Sequence, residues 1–149
     1  MTDISFYQLE LSSLELALPE LLEKTLEAKK RALVLTQSDA QVEELSDVLW
    51  AYKSDSWLPH GTSKDGFADQ QPVWLSTLDE NANGSSFLFL TNGATSDNVD
   101  VYERCFELFD GNNSDTVIAA RKRWKLYKEA EHELAYFQQN ASGVWSKKS

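Results

Sequence analysis

The stretch "RALVLTQSDAQVEELSDVL", residues 31–49, decides the fold. Its first part, Arg31 to Gln37, is a short, nearly continuous apolar run, the pattern of a strand covered on both faces. Its second part opens on Ser38 with Gln41 three residues later, the spacing of a capping box. Val42, Leu45 and Leu49 then recur at helical intervals. A buried strand that runs straight into an amphipathic helix is half of a parallel crossover.

Working outward, "ISFYQLE" (4–10) alternates apolar and polar positions and predicts a strand. Pro19 stands where a helix can begin, in "PELLEKTLEAKKR", with Leu21, Leu22 and Leu26 on one face and acids preceding bases. Downstream, residues 51–66 hold a Pro and two Gly and predict a loop. "PVWLST" (72–77) and "SFLFLTN" (86–92) predict strands either side of the turn-rich "LDENANGS". "RCFELFD" (104–110) is read as a further strand, ended at Asp110-Gly111. Ser114 or Asp115 is then expected to cap a long C-terminal helix reaching about residue 138. The sum is one α/β domain over residues 1–149, a mostly parallel central sheet with helices on both faces, Rossmann-like but without a nucleotide site.

A chain of 149 residues can bury roughly 70% of its unfolded surface, enough for a core without disulfides or metals. The opening "MTDISFYQLE" lacks a basic region followed by an apolar core, and no apolar run approaches a membrane span. A soluble, cytoplasmic protein is expected. Cys105 stands alone, the pattern of a buried structural thiol.

Charge is unevenly placed in this chain of net charge −10. Residues 1–118 hold 7 basic and 21 acidic side chains, net −14, whereas residues 119–149 hold 7 basic and 3 acidic, net +4. Most of the surface would repel a polyanion, which disfavours direct nucleic-acid binding and leaves only the C-terminal basic region as a route to it.

Catalytic motifs are missing. The six glycines contain no GxGxxG, and Gly61 with Gly66 has the spacing of a phosphate loop but Phe67 and Ala68 where its Lys and Ser or Thr belong. His60 and His132 are far apart and form no metal-binding pair, and His60 in "WLPHG" reads as a surface or turn residue. No GxSxG elbow is present. The expectation is a protein without catalytic residues, metal or cofactor.

Two clusters remain. "AARKRWKLYKEAEHEL" (119–134) gathers five of the 14 Lys and Arg residues into positions 121–128. On a helix Arg121, Trp124, Lys125 and Lys128 share a stripe about 10 Å long. Three cations flanking an indole suit a ligand that carries carboxylates beside an apolar group. The alternative is a solvated face with Trp124 turned into the core. The second cluster is Trp50 with Trp57, Leu58, Pro59 and His60, at a helix end and the loop beyond. Exposed, it would be an apolar partner surface. Otherwise Trp50 and Trp57 cover the core, and the partner reading is preferred because a loop with Pro, His and Gly hides an indole poorly.

The ordered series "FYQL", "RALVL", "LW", "WLPHG", "QPVWLST", "FELFDG", "AARKRWKLYKEAEHEL" and a late "GVW" resembles the chi subunit family of bacterial DNA polymerase III over nearly the whole chain. The resemblance implies a non-catalytic replication adaptor with two partners. One is the psi subunit, bound one-to-one and leading to the clamp loader. The other is the acidic, phenylalanine-ending C-terminal tail of single-stranded-DNA-binding protein. Carried over, the tail site is Arg121, Trp124, Lys125 and Lys128, and the psi site draws on Trp50, Trp57, Leu58, Pro59 and His60. A direct nucleic-acid-binding protein using the basic helix is the alternative function. Two positions depart from the family pattern: Lys128 replaces an arginine of better-known members, and Glu131 stands where glycine is frequent.

Overall fold

The computed structural model describes residues 2–11, 13–52, 58–139 and 142–148. Among these, the strands are β1 (Asp3–Leu9), β2 (Ala32–Leu35), β3 (Val73–Ser76), β4 (Phe87–Thr91), β5 (Arg104–Asp110), β6 (Glu133–Gln139) and β7 (Trp145–Lys147). The helices are α1 (Leu14–Glu27), α2 (Asp39–Ala51) and α3 (Ser114–Glu129), with 3-10 turns at Ala68–Gln70 and Val99–Val101. All the strands lie in one sheet, ordered β3-β2-β4-β5-β1-β6-β7. Every neighbouring pair is parallel except β6 with β7.

Strand alternation divides the core between two layers. Ala32, Val34, Val73, Leu75, Phe89, Phe106 and Leu108 face α1 and α2 and pack on Leu18, Leu22, Val42, Leu45 and Leu49. Leu33, Leu35, Leu88, Leu90, Cys105 and Phe109 face the opposite way, with Ile4 and Phe6, toward Ala120 and the inner side of α3. β2 is buried at all four positions, as its continuous apolar run requires of a strand covered on both faces. α2 starts where the sequence predicts: Ser38 Oγ accepts the Gln41 N–H at 3.2 Å, and Gln41 Oε1 accepts the Gln37 N–H at 3.0 Å.

α1 begins at Leu14, not at Pro19, which is buried inside the helix at its sixth position. The proline deprives the helix of one intrahelical bond, to the Glu15 carbonyl. Against that, the five residues before it add Leu14, Ala17 and Leu18 to the buried stripe, and this burial outweighs the break.

The C-terminal helix is also corrected at both ends. Its cap is Asn113, whose side-chain oxygen accepts the N–H groups of Asp115 at 2.9 Å and Thr116 at 3.3 Å. It ends at Glu129, far short of residue 138, in a Schellman turn. There the Glu131 N–H bonds the Lys128 carbonyl at 3.0 Å and the His132 N–H bonds the Tyr127 carbonyl at 3.2 Å, with Glu131 left-handed at φ +65°. Beyond the turn, "ELAYFQQ" has the period of two. Leu134 and Tyr136 point toward α3, while Phe137 stacks on Tyr7 at 4.9 Å on the other face. α1 ends in the same motif, with Lys29 left-handed at φ +60°.

The segment expected to be a loop after α2 is partly ordered against the sheet edge. Gly61 forms a parallel bridge to Trp74, donating its N–H to the Val73 carbonyl at 2.9 Å and accepting from the Leu75 N–H at 3.0 Å. A side chain at this position would collide with Gln71, the nearest atom lying 2.6 Å from an added Cβ.

Candidate functional site

α3 lies across β5 and β6 with Val117, Ala120, Trp124 and Tyr127 turned inward. Trp124 is half-buried and wedged edge-on between Phe6 and Tyr136, with ring centroids at 5.3 and 5.7 Å. Each such aromatic pair contributes about 0.5–1.5 kcal/mol beyond its buried area, so the indole is held firmly while one side stays open. Tyr136 is fixed in turn by its hydroxyl, which donates to Gln8 Oε1, and by its carbonyl, which accepts the Lys148 N–H at 2.7 Å.

These contacts leave a groove of about 300 Å³ lined by Gln8, Arg121, Trp124, Tyr136, Gln138 and Lys148. Two aromatic rings form its floor, the Gln138 amide offers a donor, the Gln8 amide is held between Tyr136 and Glu10, to whose Oε1 its Nε2 donates at 2.5 Å, and a cation enters from α3 and another from the segment after β7. No carboxylate lines it. The Tyr136 hydroxyl titrates above its ordinary value because burial disfavours the phenolate, with the Arg121 charge pulling the other way and Glu10 reinforcing burial. Such a site can accept a carboxylate by charge-assisted hydrogen bonds while an apolar ring lies on Trp124 and Tyr136.

Of the four residues of the sequence-derived stripe, Arg121 and Trp124 meet in the groove. Lys125 and Lys128 are exposed on the same flank of α3, outside its lining. Arg123, a fifth cation of the cluster, faces the core: its Nε donates to Glu107 Oε2 at 2.8 Å. Sequence reasoning missed Tyr136, Gln138 and Lys148 because it carried the helix through residues 133–138, and Gln8 because the pairing of its correctly predicted strand β1 with β6 was then out of sight. The alternation of "LAYFQQ" is the signal that could have found the last strands and the side chains they bring to the groove.

At the opposite edge of the sheet, Trp50 is 62% exposed and lies against the His60 ring at 4.4 Å. His60, expected as a surface or turn residue, lies outside the helices and strands but is buried, not on the surface. Its Nδ1 lies 2.8 Å from the Leu58 carbonyl and its Nε2 3.0 Å from Ser46 Oγ. The carbonyl can only accept, so Nδ1 carries the proton, and in the neutral ring Nε2 receives the Ser46 hydroxyl. Leu58 is 3% exposed and belongs to the core, and Pro59 is half-exposed. The expectation of an apolar patch displayed by Leu58 is therefore corrected: the short segment pairs with β3, which turns Leu58 inward. Trp57 lies outside the described residues. Phe67, noted in the sequence only for breaking a phosphate-loop pattern, is 71% exposed with a left-handed backbone at φ +56°.

The fold is thus a mostly parallel α/β sheet with a groove lined by cationic and aromatic residues on one face. The comparison with known families is more specific. A family model described as "DNA polymerase III chi subunit, HolC" matches residues 1–135. A similar protein is the probable DNA polymerase III subunit chi of Rickettsia prowazekii (strain Madrid E), 25% identical over 140 residues that cover 88% of this chain and 82% of that protein. The chain belongs to the DNA polymerase III chi subunit family, accessory subunits of the polymerase holoenzyme.

Proposed function

We propose that this protein is a non-catalytic adaptor of the bacterial replisome, acting in the cytoplasm. It joins the psi subunit, and through psi the clamp loader, to the acidic C-terminal tail of single-stranded-DNA-binding protein. The observation that carries the reading is the groove: Arg121 and Lys148 at its rim, Trp124 and Tyr136 on its floor, and no carboxylate in its lining. A peptide rich in Asp and ending in a phenylalanine places its terminal ring on the aromatic floor and its terminal carboxylate against a cation. Lys125 and Lys128, farther along α3, attract the preceding acids. The psi contact is assigned to the other sheet edge around Trp50, with Pro59 beside it and Leu58 and His60 supporting it from beneath.

A site this small supports micromolar binding, about −8 kcal/mol. Exposed ion pairs contribute about 0–1 kcal/mol each, so the terminal ring supplies much of the affinity and salt weakens the remainder. The test is calorimetric titration with a synthetic acidic peptide ending in Pro-Phe, at low and high salt, with a peptide lacking the Phe as control. Arg121→Glu and Lys125→Glu should abolish binding, and Lys148→Ala should weaken it about threefold to tenfold at low salt. Undiminished binding by Arg121→Glu and Lys125→Glu would remove the site from α3.

A further inference from the structure

Arg123 is the cation of the basic cluster that turns inward, away from the groove and from solvent. Its Nε and the Tyr127 hydroxyl both donate to one oxygen, Glu107 Oε2, at 2.8 and 3.0 Å. Glu107 lies in the middle of β5 and its side chain is 2% exposed, against 14% for Arg123. Burying an ion pair usually gains little stability over apolar residues of the same size, and its best-attested use is to fix a register.

The helix has need of one. α3 carries apolar residues on several sides: Val117, Ala120 and Trp124 point inward, yet Ile118 and Leu126 are 51% and 63% exposed. Apolar burial alone therefore does not single out one rotation. Arg123 and Tyr127 are four residues apart, so both side chains leave the same face and converge on a fixed carboxylate beneath. A slip of one residue would turn the helix by about 100° and shift it by about 1.5 Å, carrying both donors off the oxygen. The same slip would take Trp124 off Phe6 and Tyr136.

We propose that Glu107 is the positioning residue of the groove: holding Arg123 and Tyr127 from below, it selects the rotation of α3 that seats Trp124 in the groove and leaves Arg121, Lys125 and Lys128 outward. The functional half of this inference rests on the tail-receptor reading above. The direct test is the double substitution Glu107→Leu/Arg123→Leu, which removes both charges and leaves the Tyr127 hydroxyl as the one donor deprived of its acceptor. The expected result is a folded protein whose Trp124 indole N–H resonance, assigned by Trp124→Phe, shifts or doubles. Its affinity for the acidic Pro-Phe peptide should fall about tenfold or more. Leu22→Ala, a core lesion on the opposite face of the sheet, should alter neither readout while lowering stability, which separates positioning from general destabilisation.

An unmoved Trp124 resonance overturns the proposal. A moved resonance with unchanged peptide affinity overturns the claim that the register serves the groove. If the double variant does not fold, Glu107→Gln is read in the same two assays, with about a threefold loss of affinity expected. Absence of binding by the unsubstituted protein would instead defeat the tail-receptor reading, and the resonance alone would then decide the register.

Discussion

Glu131→Gly should stabilise the protein, and the gain can be worked from the backbone. Glu131 occupies the residue just past the α3 cap, where the chain is left-handed and its N–H closes the Schellman turn. A residue with a Cβ pays about 1–2 kcal/mol for that conformation, partly offset by the extra freedom glycine gives the unfolded chain, so the net gain is about 1 kcal/mol. Removing a carboxylate from the negative end of a helix dipole adds about 0.3 kcal/mol at an exposed position. Glu131→Gln isolates the charge, because it keeps the strained backbone and loses only the carboxylate. Thermal melting followed by far-ultraviolet circular dichroism should therefore place Glu131→Gln slightly above the unsubstituted protein. Glu131→Gly should melt about 2–4 °C above the glutamine variant. Lys29→Gly at the end of α1 repeats the experiment, where glycine relieves the same geometry but removes a charge the helix end favours. If Glu131→Gly melts no higher than Glu131→Gln, the left-handed residue carries no strain and the reasoning fails.

Leu58→Ala should cost about 2–5 kcal/mol in urea unfolding because the side chain is in the core, whereas Trp50→Ala should fall within about 0.5 kcal/mol of the parent and lower affinity for psi. Equal stability loss in the two would contradict the burial assigned to them. Glu107 gives a pH signature. Burial raises its carboxyl above the usual range, and the Arg123 charge and the hydrogen bonds from Arg123 and Tyr127 offset part of that. Its protonated form is thus favoured by folding, so its contribution is present below the unfolded carboxylate range and lost as pH rises through the raised value. The stability of the parent relative to Glu107→Gln should fall as pH is raised from the acid side toward neutrality. A difference that grows instead would mean that the ion pair outweighs desolvation.

The strands and helices that sequence made legible are those whose instructions are local. β2 advertises its burial in four consecutive apolar residues, and α2 its start in Ser38 and Gln41. α1 was misjudged because Pro19 is strong local punctuation, and only packing against the sheet reveals that the helix runs through it. The end of α3 was hidden because a glutamate, not a glycine, makes the left-handed turn. For the site, the periodicity of Arg121, Trp124, Lys125 and Lys128 was readable, but which cations are free was not. Arg123 is committed to a strand 16 residues earlier, and Lys148 reaches the groove only because β7 folds back antiparallel on β6. Likewise the contact that His60 makes with Ser46 joins a loop to a preceding helix and could not be read from the local sequence.

The strand order has a mechanical corollary. α2 rests on β3 and α3 on β5 and β6, so the two proposed docking ends stand on opposite sides of the sheet, some five strand spacings or roughly 24 Å apart. Tension between their partners would run across the strands, along the inter-strand hydrogen bonds, the direction in which a bare sheet peels one ladder at a time. Here the polypeptide is strapped against that load. The β1–α1–β2 connection passes over β5 and β4, with Leu18 and Leu22 buried in the layer that includes Phe89 and Phe106, and α3 carries the chain across β1 to β6. Splitting the sheet at its midline would require tearing α1 from its leucine bed, so a pull between the two proposed docking ends should release the proposed peptide ligand before it opens the fold.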